Sequence, residues 1–406
     1  MNILVLTYDV PATTSMPGSP RLFSLCTSLS QRHCLTLVTP SQSEERYRSF
    51  LGDPTAERVF KEIVILPQPP APRWWGQQIH RLRQEAHFVT RYRNAEYYAD
   101  QCQNIRDIVA RNAIDVLYVD YAAMAQYVMD SELKTPAIID LHDCGTLLAS
   151  RTVQVERRWL RRLALYAESR SIARVERSLS RVFSRIIMNS RIDEEFFKTL
   201  DPSANTLTIG NGVDSEFFTP TDGNSDMTKL VFTGVMNYDP NEDAAIYFCD
   251  AILPLIQERY PQVQFWVVGK DPTEKVQLLA QRPGVHVTGG VPDVRPFLEA
   301  AGIFVCPLRF GAGVKNKILA ALAMQKAVVA TRVSLEGLDL REDKHVTAAD
   351  DARTFAAQVI RLIEDPNMAA RLGRNGQAYV RAEYSWERNA AQFEGILQYA
   401  VNHHRR

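Results

Sequence analysis

Two glycines and two lysines lie close together in GAGVKNK, residues 311–317, directly before an apolar stretch that predicts a helix. Glycine accommodates tight turns, and the first turn of a helix offers unpaired N–H groups with a partial positive charge. A phosphate group is a natural ligand for such a helix end. We therefore interpret Gly311, Gly313, Lys315 and Lys317 as candidate phosphate-binding residues. The alternative for the lysines is a solvated helix turn.

A second group of polar side chains ends the apolar segment PAIIDLHDC, residues 136–144. The side chain of His142 can donate a hydrogen bond to a phosphate oxygen or a sugar hydroxyl, and a neighbouring carboxylate can set its tautomer. The alternative is that Asp140, His142 and Asp143 only cap the following helix. Cys144 has no second histidine positioned by sequence to activate it, so we interpret it as a buried small apolar residue.

Two further segments connect a predicted strand to a predicted helix. YDVPATTSMPGSPR, residues 8–21, contains one glycine and lacks the glycine-rich fingerprint of a dinucleotide-binding turn. Its length suits an acceptor-side loop or a lid, with Gly18, Ser19 and Arg21 as candidate residues. In VFTGVMNYDPN, residues 231–241, Gly234 ends a strand and permits the close approach of a ligand.

Short apolar runs alternate with helical patterns along the chain, from NILVLTY near the start to AVVAT at 327–331. Such strands are typical of parallel sheets covered on both faces, and 406 residues exceed the usual size of one hydrophobic core. We predict doubly wound α/β domains in residues 1–205 and 206–380, and a helix in 381–406 that crosses back to the first domain. Open α/β sheets bind ligands at the carboxyl ends of their strands, where the candidate residues fall.

The composition restricts the class of protein. The formal net charge is zero and 23% of the residues are charged, which argues against nucleic acid as a partner. Six cysteines without a CxxC pair indicate neither a zinc site nor a disulfide framework. The segment MNILVLTYDV is interpreted as a strand rather than a signal peptide, and no apolar stretch approaches the roughly 20 residues that cross a bilayer. These features together predict a cytoplasmic protein.

One region departs from the neutral balance of the chain. Ten arginines and three glutamates fall within residues 151–185, interleaved with apolar residues such as Trp159, Leu160 and Leu163. This pattern predicts one or two amphipathic helices. One interpretation is a solvated arginine face. The other is docking onto anionic lipid headgroups, which would make the protein peripheral on the inner face of the plasma membrane.

Several segments, taken in their order and spacing, resemble the retaining GT-B glycosyltransferases of group 1, a glycosyltransferase family 4-like group. The nearest branch is that of the bacterial sugar transferases that accompany exosortase/PEP-CTERM and exopolysaccharide clusters. The resemblance covers essentially the whole chain and is strongest after residue 205. It is carried by IGNGVDSEFFTP at 209–220, VFTGVMNYDPN at 231–241, FWVVG at 265–269, VHVTGGVPDV at 285–294, CPLRFGAGVKNKILAALAMQKAVVAT at 306–331 and YSWE at 384–387.

The resemblance implies a GT-B fold, in which two Rossmann-like domains face a central cleft and the second domain binds a nucleotide sugar. It implies that His142 contacts the donor sugar and phosphate and is the catalytic residue. The donor-binding residues that it implies are Gly234, Asn237, Gly290, Val291, Arg309, Gly311, Ala312, Gly313, Lys315, Lys317 and Ala320. The expected reaction is metal-independent transfer of a hexose, with retention, from a nucleoside diphosphate sugar to a carbohydrate or lipid-linked acceptor. No cofactor beyond this co-substrate is expected.

Ala312 and Ala320 occupy the positions where the family commonly has two glutamates, the first for sugar hydroxyls and the second for the ribose. A hydrogen bond to a charged group contributes about 1.5 to 3 kcal/mol, so one missing ribose contact would weaken donor binding by about ten- to a hundredfold. The alternative function is therefore a catalytically silent relative that acts as a binding or scaffold protein. A third interpretation is a sugar-nucleotide epimerase, which would need no acceptor.

Overall fold

The chain folds into two compact units, seen in a computed structural model that describes residues 1–11, 21–40, 44–67, 94–156, 158–221, 223, 225–311 and 313–404. The first unit consists of Met1–Gly210 together with Trp386–Arg406, and the second of Asn211–Ser385. Among the helices of the described ranges, none is long and apolar enough to cross a membrane.

Each unit is built on one sheet of parallel strands. In the described residues, the first sheet has seven strands in the order β3-β2-β1-β4-β5-β6-β7, and the second has six in the order β10-β9-β8-β11-β12-β13. The strands are β1 (Asn2–Leu6), β2 (Cys34–Thr39), β3 (Glu62–Ile65), β4 (Val116–Asp120), β5 (Ala137–His142), β6 (Arg185–Met188), β7 (Thr206–Thr208), β8 (Asp226–Thr233), β9 (Gln264–Val268), β10 (Val285–Val287), β11 (Ala301–Cys306), β12 (Ala327–Ala330) and β13 (Thr347–Ala348).

Helices connect most of the strands. In the first unit they are α1 (Arg21–Ser30), α2 (Glu44–Leu51), α3 (Pro54–Val59), α4 (Ala95–Arg111), α5 (Ala122–Met129), α6 (Gly145–Val155), α7 (Trp159–Leu179) and α8 (Arg191–Leu200). In the second unit they are α9 (Asp239–Tyr247), α10 (Leu253–Gln257), α11 (Glu274–Leu278), α12 (Arg295–Ala300), α13 (Asn316–Ala323), α14 (Arg332–Leu335), α15 (Ala352–Glu364) and α16 (Pro366–Glu383), with a π-helical turn at Phe248–Ile252 and a 3₁₀ turn at Leu279–Gln281. The last helix, α17 (Trp386–His404), belongs to the first unit.

The sheets are buried on both faces, which explains the nearly continuous apolar strands of the sequence. In β1, Ile3 and Val5 belong to one hydrophobic cluster, while Leu4 and Leu6 belong to another. Successive side chains of a strand point to opposite faces, so both faces need apolar residues when helices cover both. The prediction of doubly wound α/β architecture is confirmed.

The unit boundaries differ by five residues from those drawn on the sequence. The sequence analysis divided the chain after 205 and after 380, whereas the units meet after Gly210 and after Ser385. One reason is that β7 still pairs with β6 as the edge strand of the first sheet. The other is that the backbone N–H of Val213 donates to the carbonyl oxygen of Tyr384 at 2.8 Å, which keeps the end of this segment in the second unit.

Candidate functional site

Lys317 is a partly buried cation at the start of α13. Its Nζ donates to Oδ1 of Asn241 at 2.5 Å and lies 4.4 Å from the centroid of the Phe232 ring. Within the described part of the chain, no carboxylate pairs with it. Burial, with a contribution from nearby Lys315, lowers the pKa of Lys317 to about 8. A buried ammonium group with only neutral partners is a preformed receptor for an anion.

Gly234 leaves the space that this ammonium group occupies. A Cβ atom on Gly234 would lie 2.8 Å from Nζ of Lys317 and 2.8 Å from Nδ2 of Asn241. The neighbouring Gly269 has φ +154°, and a Cβ there would lie only 1.7 Å from the carbonyl oxygen of Gly234. The two glycines therefore allow the ends of β8 and β9 to approach each other. We call Gly234, Asn241 and Lys317 the lysine pocket.

A Gly234→Ala substitution is expected to reduce the free energy of unfolding by about 1 kcal/mol, because the added methyl group would displace the flexible ends of the Lys317 and Asn241 side chains. Chemical denaturation measures this change. Gly290→Ala is the matched control, since its Cβ would lie 3.5 Å from Cβ of Lys270, which is an ordinary contact. This substitution should lower the free energy of unfolding by less than about 0.5 kcal/mol. Equal losses in the two variants would contradict the crowding at Gly234.

The turn before α13 carries the other predicted phosphate ligands. Gly311 has φ +147° and Gly313 has φ +69°, conformations that favour glycine. Lys315 is buried and donates from Nζ to the carbonyl oxygen of Gly313 at 2.5 Å. The N-cap residue of α13, Lys315, makes no side-chain hydrogen bond to the first turn of the helix. The turn and the helix end therefore present the features that the sequence predicted for binding a phosphate group, while Ala312 lies outside the described residues.

The remaining donor-side predictions are distributed along the same edge of the second sheet. Arg309 is exposed, and its guanidinium group is paired with both carboxylate oxygens of Asp243, so its charge is already neutralised. Asn237 lies exposed in the turn between β8 and α9, and Ala320 is partly buried in α13. Gly290 and Val291 follow β10, where the preceding Gly289 accepts a hydrogen bond from the N–H of Gly269 at 3.2 Å.

In the first unit, His142 ends β5 in a strained conformation. Its φ is +65°, which is uncommon for a residue other than glycine. Its Nε2 contacts Oδ1 of Asp120 at 2.7 Å, and the other oxygen of Asp120 accepts from the hydroxyl of Thr7 at 2.8 Å. The ring of Tyr121, itself at φ +68°, stacks on the imidazole with a centroid separation of 4.1 Å. Tertiary contacts thus fix the ring.

The charge of this histidine is set by its surroundings. Burial alone would lower the pKa of His142, but the carboxylates of Asp120 and Asp140 outweigh it and raise the pKa above its usual value. Asp120 binds Nε2 of His142 and so fixes the orientation of the ring. Nδ1 of His142 has no hydrogen-bond partner among the residues that the structure covers. An imidazolium held in this way can donate a proton or a hydrogen bond from Nδ1 to a substrate.

Arg21 corrects one prediction of the sequence analysis, which placed it in an acceptor-side loop. It is the first residue of α1 and is completely buried. Its Nε donates to one oxygen of Asp140 at 2.8 Å and a terminal nitrogen to the other at 3.2 Å, while a second terminal nitrogen donates to the carbonyl oxygen of Gly210 at 2.9 Å. A buried carboxylate needs a compensating cation, which explains the position. Gly18 and Ser19 lie outside the described residues.

Asp120, Asp140 and His142 are also the residues here that could hold a metal ion, because their ligand atoms lie within 4.8 Å of one another. The guanidinium group of Arg21 already binds both oxygens of Asp140. A divalent cation at this position would face that buried positive charge at short range. The arrangement therefore fits an internally paired network better than a metal centre.

The helix that follows His142 is capped by the protein itself. Oε1 of Glu176 accepts from the N–H of Gly145 at 2.8 Å, and its other oxygen accepts from the hydroxyl of Thr146 at 2.5 Å. The carboxylate therefore occupies the N-terminus of α6, where an external anion would otherwise bind. The thiol of Cys144 is buried beside it, and this burial raises its pKa, so the interpretation as a small core residue stands.

Three residues of these groups were not singled out in the sequence analysis: Asp120, Tyr121 and Asn241. Asp120 ends the apolar run DVLYVD, and its strand β4 lies beside β5 in the sheet. A search for polar residues at the ends of neighbouring strands would have found it. Nothing in the sequence marks Asn241 as a partner of Lys317, which is 76 residues away in the chain.

Residues 228–365 match the profile of the family described as Glycosyl transferases group 1, a range that contains the lysine pocket and α13. Phosphatidyl-myo-inositol mannosyltransferase from Mycobacterium tuberculosis is 28% identical over 209 residues, which amount to 48% of this chain and 54% of that protein. The chain thus spans about half the length of the curated relatives it matches.

Solved structures resemble the chain over almost its whole length. The structure of sucrose-phosphate synthase from Thermosynechococcus elongatus has a TM-score of 0.72 at 16% identity, with 98% of each chain covered. That of Anabaena HepE in complex with UDP and glucose has a TM-score of 0.68 at 15% identity, covering 98% of this chain and 99% of that one. These similarities confirm the GT-B fold. The family match itself covers residues 228–365.

Proposed function

We propose that this protein is a retaining, metal-independent glycosyltransferase that transfers a hexose from a nucleoside diphosphate sugar to a carbohydrate or lipid-linked acceptor in polysaccharide or glycolipid assembly. In this reaction the bond between the sugar C1 and the diphosphate oxygen breaks. A new bond forms to the acceptor hydroxyl oxygen on the same face of the ring. The hydroxyl proton leaves with the diphosphate or passes to solvent.

The observation that carries the proposal is Lys317, a partly buried cation with no acidic partner in the described residues. Burying an uncompensated charge is costly, and a bound diphosphate would supply the missing counter-charge. The glycine turn and the uncapped start of α13 add backbone donors beside it. With alanine at 320, no carboxylate at that position binds the ribose, so donor affinity would depend mainly on the phosphates.

The known proteins suggest which donors to test first. Anabaena HepE has been solved with UDP-glucose, and the Mycobacterium tuberculosis relative is named as a mannosyltransferase. A panel of UDP-glucose and GDP-mannose, assayed by nucleoside diphosphate release with and without acceptor, tests the reaction class. Isomerisation of the free sugar nucleotide without an acceptor would favour the epimerase, and release of no nucleotide from a full donor panel would contradict the transferase.

A Lys317→Met substitution is expected to weaken UDP binding by about ten- to a hundredfold, the usual contribution of one hydrogen bond to a charged group. Isothermal titration calorimetry measures the affinity. In the wild type, binding requires the protonated lysine, whose pKa is about 8 before the ligand binds. Affinity should therefore fall as pH rises through that value, by about tenfold between pH 7 and pH 9. The Lys317→Met variant should lose this dependence.

Lys326→Met is the matched control for this experiment. Lys326 is also buried, and burial lowers its pKa to about 8 as well. Its Nζ, however, donates to the backbone carbonyl oxygens of Glu299 and Ala301 at 2.9 and 3.0 Å, next to the beginning of β11 rather than its end. Its replacement should change stability but leave UDP affinity unchanged. Equal UDP affinity in the wild type and Lys317→Met would overturn the assignment of the lysine pocket.

A further inference from the structure

The first turns of α7 expose an unusual amount of apolar surface. Trp159, Leu160, Leu163 and Tyr166 are 69%, 64%, 59% and 55% exposed, which makes them the four most exposed large apolar side chains of the described residues. Positions three and four apart share one face of a helix, so these four side chains form a single patch. A contiguous apolar patch of this kind usually marks an interaction surface.

The helix extends well beyond what the core of the first unit requires. Along residues 159–168, all of which the structure describes, no side chain is fully buried, and the first buried residue of α7 is Ser169. Glu176, which accepts a hydrogen bond from the start of α6, lies 17 residues after Trp159, about 25 Å along a helix with a rise of 1.5 Å per residue. The apolar turns therefore contribute little to the packing of the described residues of this unit.

The same face becomes basic further along the helix. Following the spacing of three or four residues from Leu163 and Tyr166, the outward positions are Arg170, Arg174 and Arg177, all exposed. The acidic residues of α7 are Glu168 and Glu176, which lie off this row, and Glu176 is buried. We call Trp159, Leu160, Leu163, Tyr166 and the three arginines the exposed row.

We propose that the exposed row docks onto an anionic lipid bilayer. Tryptophan, tyrosine and leucine fit the boundary between headgroups and acyl chains, where an aromatic ring can bury its apolar body and keep its polar end hydrated. The arginines lie at the level of lipid phosphates and are attracted by the negative surface potential. Binding of a second protein would also bury the apolar patch. It would not by itself explain why the exposed row changes from apolar to purely basic along one helix.

The inference does not depend on sugar transfer, although it has a consequence for it. The start of α6, which contacts Glu176, lies three residues after His142 in the chain. Docking through α7 would therefore bring the first unit, which contains His142, to the lipid surface. A lipid-linked or membrane-embedded acceptor would then reach the first unit by diffusion in two dimensions.

The test uses the full-length chain and co-sedimentation with phosphatidylcholine vesicles that contain or lack phosphatidylglycerol. Wild type is expected to bind the anionic vesicles, and binding should weaken with added salt. Arg170→Gln/Arg174→Gln should lower the partition coefficient by about 25-fold on anionic vesicles, about fivefold for each arginine, and should have little effect on neutral ones. Trp159→Ser/Leu163→Ser should lower it at least about tenfold on both.

Matched controls come from equally exposed residues of the second unit. Leu278 is 50% exposed, and Arg371 and Arg374 are exposed on α16, so Leu278→Ser and Arg371→Gln/Arg374→Gln should bind vesicles like the wild type. Far-UV circular dichroism and thermal unfolding verify that the exposed substitutions leave the fold intact. The proposal is overturned if wild type fails to bind anionic vesicles or if both row variants bind as well as wild type. It is also overturned if sedimentation velocity shows that the patch instead pairs two copies of the chain and vesicles do not bind.

Discussion

Replacing His142 with alanine is expected to lower the turnover number for sugar transfer by about 10²- to 10³-fold, the usual loss when one preorganised hydrogen-bond donor is removed. The effect is large because the ring is fixed before substrate binds, by Asp120 at 2.7 Å and by stacking against Tyr121. Carboxylates raise the pKa of His142, which favours the protonated ring at neutral pH. Steady-state release of nucleoside diphosphate in the presence of acceptor measures the loss.

Asp120→Asn separates this role from a purely structural one. The substitution keeps a hydrogen-bonding side chain beside Nε2 but removes the negative charge that raises the pKa of His142. If the protonated imidazole is the active form, turnover falls as pH rises through that pKa, and in Asp120→Asn the fall should begin at lower pH. A structural role would lower turnover at every pH without moving the profile. Retention of the wild-type rate by His142→Ala would remove His142 from the proposed mechanism.

Breaking the Arg21–Asp140 pair is expected to lower the free energy of unfolding by about 3–5 kcal/mol, because either partner alone would be an uncompensated buried charge. Both side chains are completely shielded from solvent. Arg21→Met and Asp140→Leu should each show this loss in urea denaturation. The double variant Arg21→Met/Asp140→Leu should lose less than the sum, since both charges leave together.

An exposed ion pair provides the control. Arg48 and Glu44 are joined across one helical turn with side chains 76% exposed, so Glu44→Ala should cost no more than about 0.5 kcal/mol. Burial would raise the pKa of Asp140, but Arg21 and His142 outweigh it and lower the pKa below its usual value. The contribution of the pair to stability is therefore present above pH 4 or so and is lost as pH falls through the lowered pKa. A loss in Arg21→Met no larger than in Glu44→Ala would contradict this account.

Local sequence pattern was sufficient to locate the glycine turn before α13 and the arginine-rich helix α7. The glycines at 311 and 313 predicted a turn because few other residues adopt its conformation, and the structure has φ of +147° and +69° there. The arginine-rich segment predicted one or two amphipathic helices, with a solvated arginine face and lipid docking as the two interpretations, and α7 has the helical form. The backbone conformation of a glycine turn and the periodicity of a helix both depend on neighbouring residues in the chain, so they can be predicted from the sequence.

Long-range pairing could not be obtained in the same way. Arg21 was assigned to a loop because nothing nearby in the chain shows that Asp140, 119 residues away, needs its charge. Arg309 is a candidate donor-binding residue, and the sequence gives no sign of its ion pair with Asp243, 66 residues away. The choice of partner depends on which strand ends are neighbours, and this is decided when the sheets assemble.

The sequence by itself determined that two parallel α/β sheets form, that His142 ends a strand, and that Lys317 follows a glycine turn at the start of a helix. It also determined that one helix is rich in arginine. These features depend on the spacing of apolar residues, on glycine and on charge within a few neighbouring residues. Only the tertiary structure decided which of those charges are paired. In the tertiary structure His142 contacts the carboxylate of Asp120, and Arg21 pairs with the carboxylate of Asp140. Lys317 instead binds the neutral amide of Asn241. The physical reason is that burial sets the free energy of a charge, and burial depends on elements far apart in the chain.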